Sequence, residues 1–222
     1  HTILIITSLL SIFPFIWLTS TSLKGLGEDI FAYPPHLIPS DFTWANYVDV
    51  WHRVNFMGYF WNSVIVAALT VILNLVLSSL AAYPLARMSF KGKKFFFFAI
   101  LATIMIPFQA IMLPVYIITL KLHLIDSVNN VMGYIGLVMP FAVSAFGIFL
   151  MRQAFIKVPK EVEEAAIVDG CNVFQMFTRV VIPMVKPTLA VLAVFTFIGS
   201  WGEFLWPSIM LTKDAMYTLP VG

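Results

Sequence analysis

The chain has 222 residues, 60% of them hydrophobic and only 11% charged, with a net charge of +2. Soluble domains carry roughly a quarter charged residues, so this composition excludes an ordinary soluble enzyme. The small net charge and the placement of basic residues in loops exclude a nucleic-acid binder, and the class that remains is an all-α integral membrane protein, a polytopic helix bundle.

Five apolar runs follow one another, at about residues 3–19, 60–86, 95–120, 131–149 and 187–206. Each is close to or above the roughly 20 residues a helix needs to cross the hydrocarbon. They read as five spans of a single transmembrane domain covering 1–222. The sequence opens on His1 rather than Met and stops at Gly222 just after a turn, so both ends read as truncated and a sixth span is expected beyond Tyr217-Thr218-Leu219-Pro220. Cys171 is the sole cysteine, so no intramolecular disulfide is possible.

Between the first and second runs, Thr21 to Gly58 is rich in Pro, Trp and Tyr. Pro34, Pro35 and Pro39 disfavour regular helix there, and Trp44, Tyr47, Trp51, Tyr59 and Trp61 suit the headgroup level of a bilayer or a docking surface. Within the runs, Asn62, Asn74, Gln109 and Glu203 are polar, and Pro14, Pro84, Pro107, Pro114 and Pro140 each remove a backbone donor. Such breaks are tolerated where neighbouring helices or water re-satisfy the backbone, so the bundle is expected to line a path. Asn74, Gln109, Trp201 and Glu203 are the candidate path residues: polar groups at membrane depth and an aromatic able to stack on a sugar ring. Helix–helix hydrogen bonding for Asn74 and Gln109, and an interfacial position for Trp201 and Glu203, are the alternatives.

Nine of the thirteen Lys and Arg residues fall in two loops, Arg87–Lys94 and Arg152–Lys186. The positive-inside rule places both loops in the cytoplasm. The second contains a polar island, Val158 to Pro187, in an otherwise greasy chain. Pro159 suits the start of a helix, and Glu161, Glu163 and Glu164 complement the helix dipole in its first turns. Val162, Ala165, Ala166 and Asp169 share a face of small side chains at helical spacing, and Gly170 can end the helix in a left-handed conformation. A second short helix fits Cys171 to Val180, with Phe174, Phe177 and Val181 on one side, before Pro183 and Pro187. A helix pair this small cannot bury its own apolar face, and its carboxylates oppose an anionic membrane surface; docking on a partner follows. Pairing of Lys157 with Glu161 and of Lys160 with Glu164 is the plain solvated alternative for those charges.

Glu164-Ala165-Ala166, then Asp169-Gly170, then Val180-x-Ile182-Pro183 resemble the EAA motif of bacterial ABC importer permeases. Phe195 to Trp201, Glu203 to Pro207 and Tyr217 to Pro220 resemble the carbohydrate-uptake branch, with Gly202 standing where that branch usually has Asn. The outer Pro34-Pro35 and Trp44-x-Asn46-Tyr47 add to the match. The resemblance implies a multi-pass subunit of the bacterial inner membrane that pairs with a second, usually different permease chain, a cytoplasmic ATPase dimer and an extracytoplasmic solute-binding protein. It implies ATPase contacts for Glu164, Ala165, Ala166, Asp169, Gly170, Phe174 and Pro183, and alternating access for a sugar, oligosaccharide or related polyol.

No phosphate-binding loop G-x-x-x-x-G-K-[ST] occurs, so ATP and magnesium belong to the partner ATPase subunits and this chain binds no cofactor and no metal. No nucleophile elbow or zinc-protease motif occurs either, and the chain reads as a transporter subunit, not an enzyme. The competing readings are an ion-coupled secondary transporter, for which broken helices and Glu203 would serve, a non-carbohydrate importer permease, and a membrane receptor or scaffold.

Overall fold

The structure is a computed structural model. It describes residues 2–25, 27–30, 36–125 and 129–222; Pro34, Pro35 and His1 lie outside them. Among the described residues the chain is helical apart from turns and one isolated antiparallel bridge, Lys24 with Phe42. It divides into two compact units, His1–Phe56 and Met57–Gly222.

The first unit holds α1 (Thr2–Ser22) and α2 (Ala45–Arg53). Large apolar side chains are exposed along all of α1, as expected of a helix whose solvent is lipid. The segment between the helices is tied by polar contacts. Asn46 Nδ2 donates to the carbonyls of Ser22 (3.0 Å) and Lys24 (2.8 Å). Lys24 is ion-paired with Glu28 at 3.5 Å, and both side chains are shielded.

The second unit opens with α3 (Phe56–Arg87), 32 residues long and continuous through Pro84. The runs expected at 95–120 and 131–149 are not continuous helices. The first is α4 (Lys93–Thr103) followed by α5 (Phe108–Lys121), bent by 97°. The second is α6 (Asn130–Val138) plus a short turn, then α7 (Ala145–Lys157), bent by 58°. Pro107 sits at the first break in an extended conformation and Pro140 in the turn at the second; each lacks the N–H that would carry the helix on. By length and composition two helices, α1 and α3, can cross a membrane unbroken, and up to five spans result if each bent pair is one.

After α7 come α8 (Lys160–Val168), the one-turn α9 (Val173–Gln175), a π-helical stretch (Met176–Val181), the one-turn α10 (Ile182–Met184), α11 (Lys186–Trp201) and α12 (Leu205–Met210). Two apolar clusters hold this unit together. One joins the end of α3 (Ala82, Tyr83, Leu85) to α7 (Met151, Phe155) and to the loop (Ala166, Phe177, Val181). The rings of Tyr83, Phe155 and Phe177 meet at its centre, with centroids 5.0–6.1 Å apart. The other gathers Val66, Leu137, Val138, Trp206, Met210 and Met216. There Trp206 is fully buried and its indole N–H donates to the Gly136 carbonyl at 3.2 Å, the satisfaction a buried indole requires.

Candidate functional site

The loop built around α8 is packed on its own chain along one side and open on the other. Its first helix starts at Lys160, one position later than the sequence suggested, with Pro159 as the residue before it and Glu161 and Glu163 in the first turn. It ends on Gly170 at φ +81°. The Gly170 N–H reaches the Ile167 carbonyl at 3.0 Å and the Cys171 N–H the Ala166 carbonyl at 2.9 Å, both bonds of a Schellman ending, in which glycine takes the left-handed position at no steric cost. The second helix starts on a capping box, Asn172 with Gln175, at 2.9 and 3.0 Å. Pro183 brings no N–H to the carbonyl four residues back, and the turns just before it are widened to a π-helix.

The expected common face of Val162, Ala165, Ala166 and Asp169 is split. Ala166 is 6% exposed and belongs to the internal cluster, whereas Ala165 and Asp169 are exposed with Glu164 and Val168. The apolar side of the second helix divides likewise: Phe177 and Val181 are buried, while Phe174 is 69% exposed. The pair therefore buries part of its apolar surface on α3 and α7, and Glu164, Ala165, Asp169, Gly170, Phe174 and Pro183 are among the residues left exposed, together with Ile167, Val168 and Val173.

A polar joint ties this loop to the end of α3. Arg87 Nε lies 2.9 Å from Glu163 Oε1, and the same guanidinium donates to the Val158 carbonyl. From α7, Arg152 donates to the Leu85 carbonyl at 3.0 Å and stacks over Phe97 at 4.0 Å. From α4, Lys93 donates to the carbonyls of Ala86 (3.1 Å) and Met88 (2.9 Å). The last carbonyls of a helix lack internal partners and carry the negative end of its dipole, which is why cations from two other helices converge there.

Away from that joint, a cavity of about 540 Å³ lies where α3, both helix breaks and the end of α11 come together. Asn74 and Glu203 both line it; Gln109 and Trp201 do not. Gln109 is exposed in the first turn of α5, and Trp201 stacks on Phe197 at 5.4 Å and meets the edge of Phe60 at 6.0 Å. Asn74 is 2% exposed; its amide donates to the Phe141 carbonyl at 3.1 Å, and its oxygen accepts from Ser78 (3.2 Å) and Ser144 (3.4 Å). Gly147 makes that approach possible, since a Cβ there would stand 2.6 Å from Ser78 Oγ and 3.0 Å from Asn74 Oδ1. Glu203 follows the end of α11 and accepts the Trp206 N–H at 3.1 Å.

Ser63, Thr70 and Thr218 also line the cavity and were missed in the sequence. The hydroxyls of Thr70 and Thr218 are buried and have no hydrogen-bond partner. A signal for two of them existed: Ser63, Thr70, Asn74 and Ser78 recur at spacings of seven and four, one face of a helix. Among the described residues the cavity lining has one ionisable group, Glu203, and no cation. No cluster of three potential metal ligands occurs among them.

A family model described as "Binding-protein-dependent transport system inner membrane component" matches residues 74–221. The chain is 35% identical over 185 residues to the arabinooligosaccharides transport system permease protein AraQ of Halalkalibacterium halodurans, covering 83% of this chain and 64% of that protein. It is 34% identical over 222 residues to the sn-glycerol-3-phosphate transport system permease protein UgpE of Yersinia enterocolitica, covering 97% of this chain and 76% of that one. Among solved structures it is similar to a bacterial ABC transporter involved in the import of the acidic polysaccharide alginate, with a TM-score of 0.83 and 28% identity, covering 99% of this chain and 75% of that one. The chain thus spans about two thirds to three quarters of the length of these relatives.

Proposed function

The chain belongs to the family of binding-protein-dependent transport system inner membrane components, and from that membership we propose that it is one permease subunit of an ATP-driven importer for a neutral sugar, oligosaccharide or related polyol. A member of this family is a transport component, not an enzyme. The observation that carries the solute class is the cavity lining: hydroxyls of Ser63, Thr70 and Thr218, the Asn74 amide, one carboxylate and several aromatic rings, without a cation among the described residues. Hydroxyl, amide and carboxylate groups exchange hydrogen bonds with a polyol, and aromatic faces cover its apolar side. A phosphorylated or acidic solute, such as those in the names of the glycerol-phosphate permease and the alginate transporter, would meet Glu203 with no counter-charge from this chain.

In this reading the surface of Glu164, Ala165, Asp169, Gly170, Phe174 and Pro183 is held by the ATPase dimer in the cytoplasm, and a second permease chain completes the path to which an outer binding protein delivers solute. The polar joint at Arg87 supports a rigid connection from that surface to α3, α4 and α7. The breaks at Pro107 and Pro140 border the cavity and supply places where the helices can turn without breaking internal hydrogen bonds, which suits alternating access.

The test is uptake into proteoliposomes holding the assembled importer with its binding protein and ATP. Neutral oligosaccharides should be accumulated and should stimulate ATP hydrolysis. Uptake confined to phosphorylated or uronic solutes would overturn the solute class, and uptake driven by an ion gradient without ATP would overturn the importer reading itself.

A further inference from the structure

We propose that the cleft between the end of α3, the start of α4 and the first residue of α8 binds the phosphate headgroup of an anionic phospholipid. The cleft has a volume of about 580 Å³ and is lined by four cations, Arg87, Lys93, Lys94 and Lys160, and by no carboxylate among the described residues. Two of these charges are engaged: Arg87 pairs with Glu163, and Lys93 donates to two backbone carbonyls. Lys94 and Lys160 are exposed, and neither has a carboxylate within ion-pair distance among the described residues. Cations that converge on one concavity without an acid repel one another unless an anion joins them.

The surroundings select the source of that anion. Phe90 and Phe95 line the cleft, and Phe96 and Phe98 continue the apolar surface along α4, with exposures of 42%, 72%, 55% and 64%. α4 is the first half of one of the bent apolar pairs, so these rings lie where a helix enters the hydrocarbon and the lysines lie at headgroup level. A phosphodiester with acyl chains satisfies both parts, the phosphate among the lysines and the chains along the phenylalanines. Free phosphate would use only the cations, and an acidic protein surface would leave the phenylalanines uncovered. Basic pockets beside membrane helices are the setting in which anionic headgroups are held. This inference does not depend on which solute is carried.

The test uses the purified importer in neutral-detergent micelles, titrated with fluorescent phosphatidylglycerol and, in parallel, fluorescent phosphatidylcholine. Saturable binding of the first and not the second is expected. In the variant Lys94→Gln/Lys160→Gln the affinity should fall by about twenty-five-fold, roughly fivefold for each lysine. Lys91→Gln removes a neighbouring lysine that does not line the cleft and should leave affinity unchanged. Equal binding of the two lipids, an unchanged double variant, or an equal loss in Lys91→Gln would overturn the site. Displacement of the lipid by millimolar inorganic phosphate would make it a soluble-anion site. Loss of the ATPase subunit from the double variant on size exclusion would make it a protein contact. Either result overturns the lipid assignment.

Discussion

Arg87, the last residue of α3, holds its Nε 2.9 Å from Oε1 of Glu163 in the first turn of α8, with the two side chains 9% and 14% exposed. An ion pair so shielded is worth little as net stability, because desolvation offsets the attraction, but removing one partner leaves a charge stranded. Its consequence is mechanical: α8 can hardly shift without carrying the end of α3. Glu163→Gln should therefore cost about 1–3 kcal/mol locally, less than a fully buried pair would, and lower uptake per ATP hydrolysed by several-fold while the assembled complex persists. The exchanged pair Arg87→Glu/Glu163→Arg should recover part of the coupling ratio, since opposite charges again face each other. A double variant no better than either single one would show that the residues act separately.

The neighbouring alanines Ala165 and Ala166 should separate docking from folding. Ala166 is 6% exposed in the cluster with Phe177 and Val181, and Ala165 is open. Ala166→Leu forces extra volume into a packed site, at about 1–3 kcal/mol, and should lower the melting temperature and the amount in the membrane. Ala165→Leu should leave both unchanged and reduce retention of the ATPase on affinity-tagged permease. The opposite pattern would reverse the two faces of α8.

In the first unit, Glu28 should give a pH-dependent clasp. Its burial pushes its pKa up, but backbone N–H groups of Ser40 and Asp41 and the charge of Lys24 outweigh this, so the net value lies below the ordinary 4.5. A carboxyl with a depressed folded pKa contributes stability that is complete above the unfolded value and is lost as pH falls through the folded one. The Ser40 amide, which donates to Glu28 at 2.9 Å, should keep its hydrogen-exchange protection from neutral pH down to about 5 and lose it below the ordinary carboxylate range. Protection that fades between pH 7 and 5 would contradict this. In Glu28→Gln the acid-induced loss should be absent.

Lipid is a demanding solvent, and its demands are legible in sequence. A run such as 60–86 had to become a helix, and α3 does run from Phe56 to Arg87. The bends were not legible from prolines alone. Pro14, Pro84 and Pro114 lie inside helices, while Pro107 and Pro140 stand at breaks; one residue type gives both outcomes because neighbours decide whether the lost donor is replaced. Periodicity put Val162, Ala165, Ala166 and Asp169 on one face, and Glu164 entered the docking surface only through the family resemblance; periodicity could not say that Ala166 faces inward, because the surface that covers it comes from Phe177 and Val181 after the turn. Gln109 and Trp201 fell outside the cavity for a similar reason. A polar or aromatic residue in a span signals a need for a partner without giving the side of the helix on which the partner stands.

Thr70 and Thr218 provide the sharpest test of the cavity. Both hydroxyls are buried and without partners, and both residues line the cavity that Asn74 and Glu203 share. A buried hydroxyl left unpaired costs about 1–3 kcal/mol, so a protein gains stability by losing it unless a ligand uses it. Replacement by valine keeps the shape and removes the polar atom. If the hydroxyls serve the solute, Thr70→Val and Thr218→Val should each leave the melting temperature of the empty complex unchanged or raise it by a few degrees. Each should also weaken transport of the cognate solute, by about fivefold to tenfold, the worth of one hydrogen bond to a neutral group. A fall in stability would instead make the hydroxyls part of the internal network around Asn74. Unchanged transport in both variants would remove these two hydroxyls, one on α3 and one near the C-terminal end, from the solute path, and with them the reason to assign the cavity to a polyol.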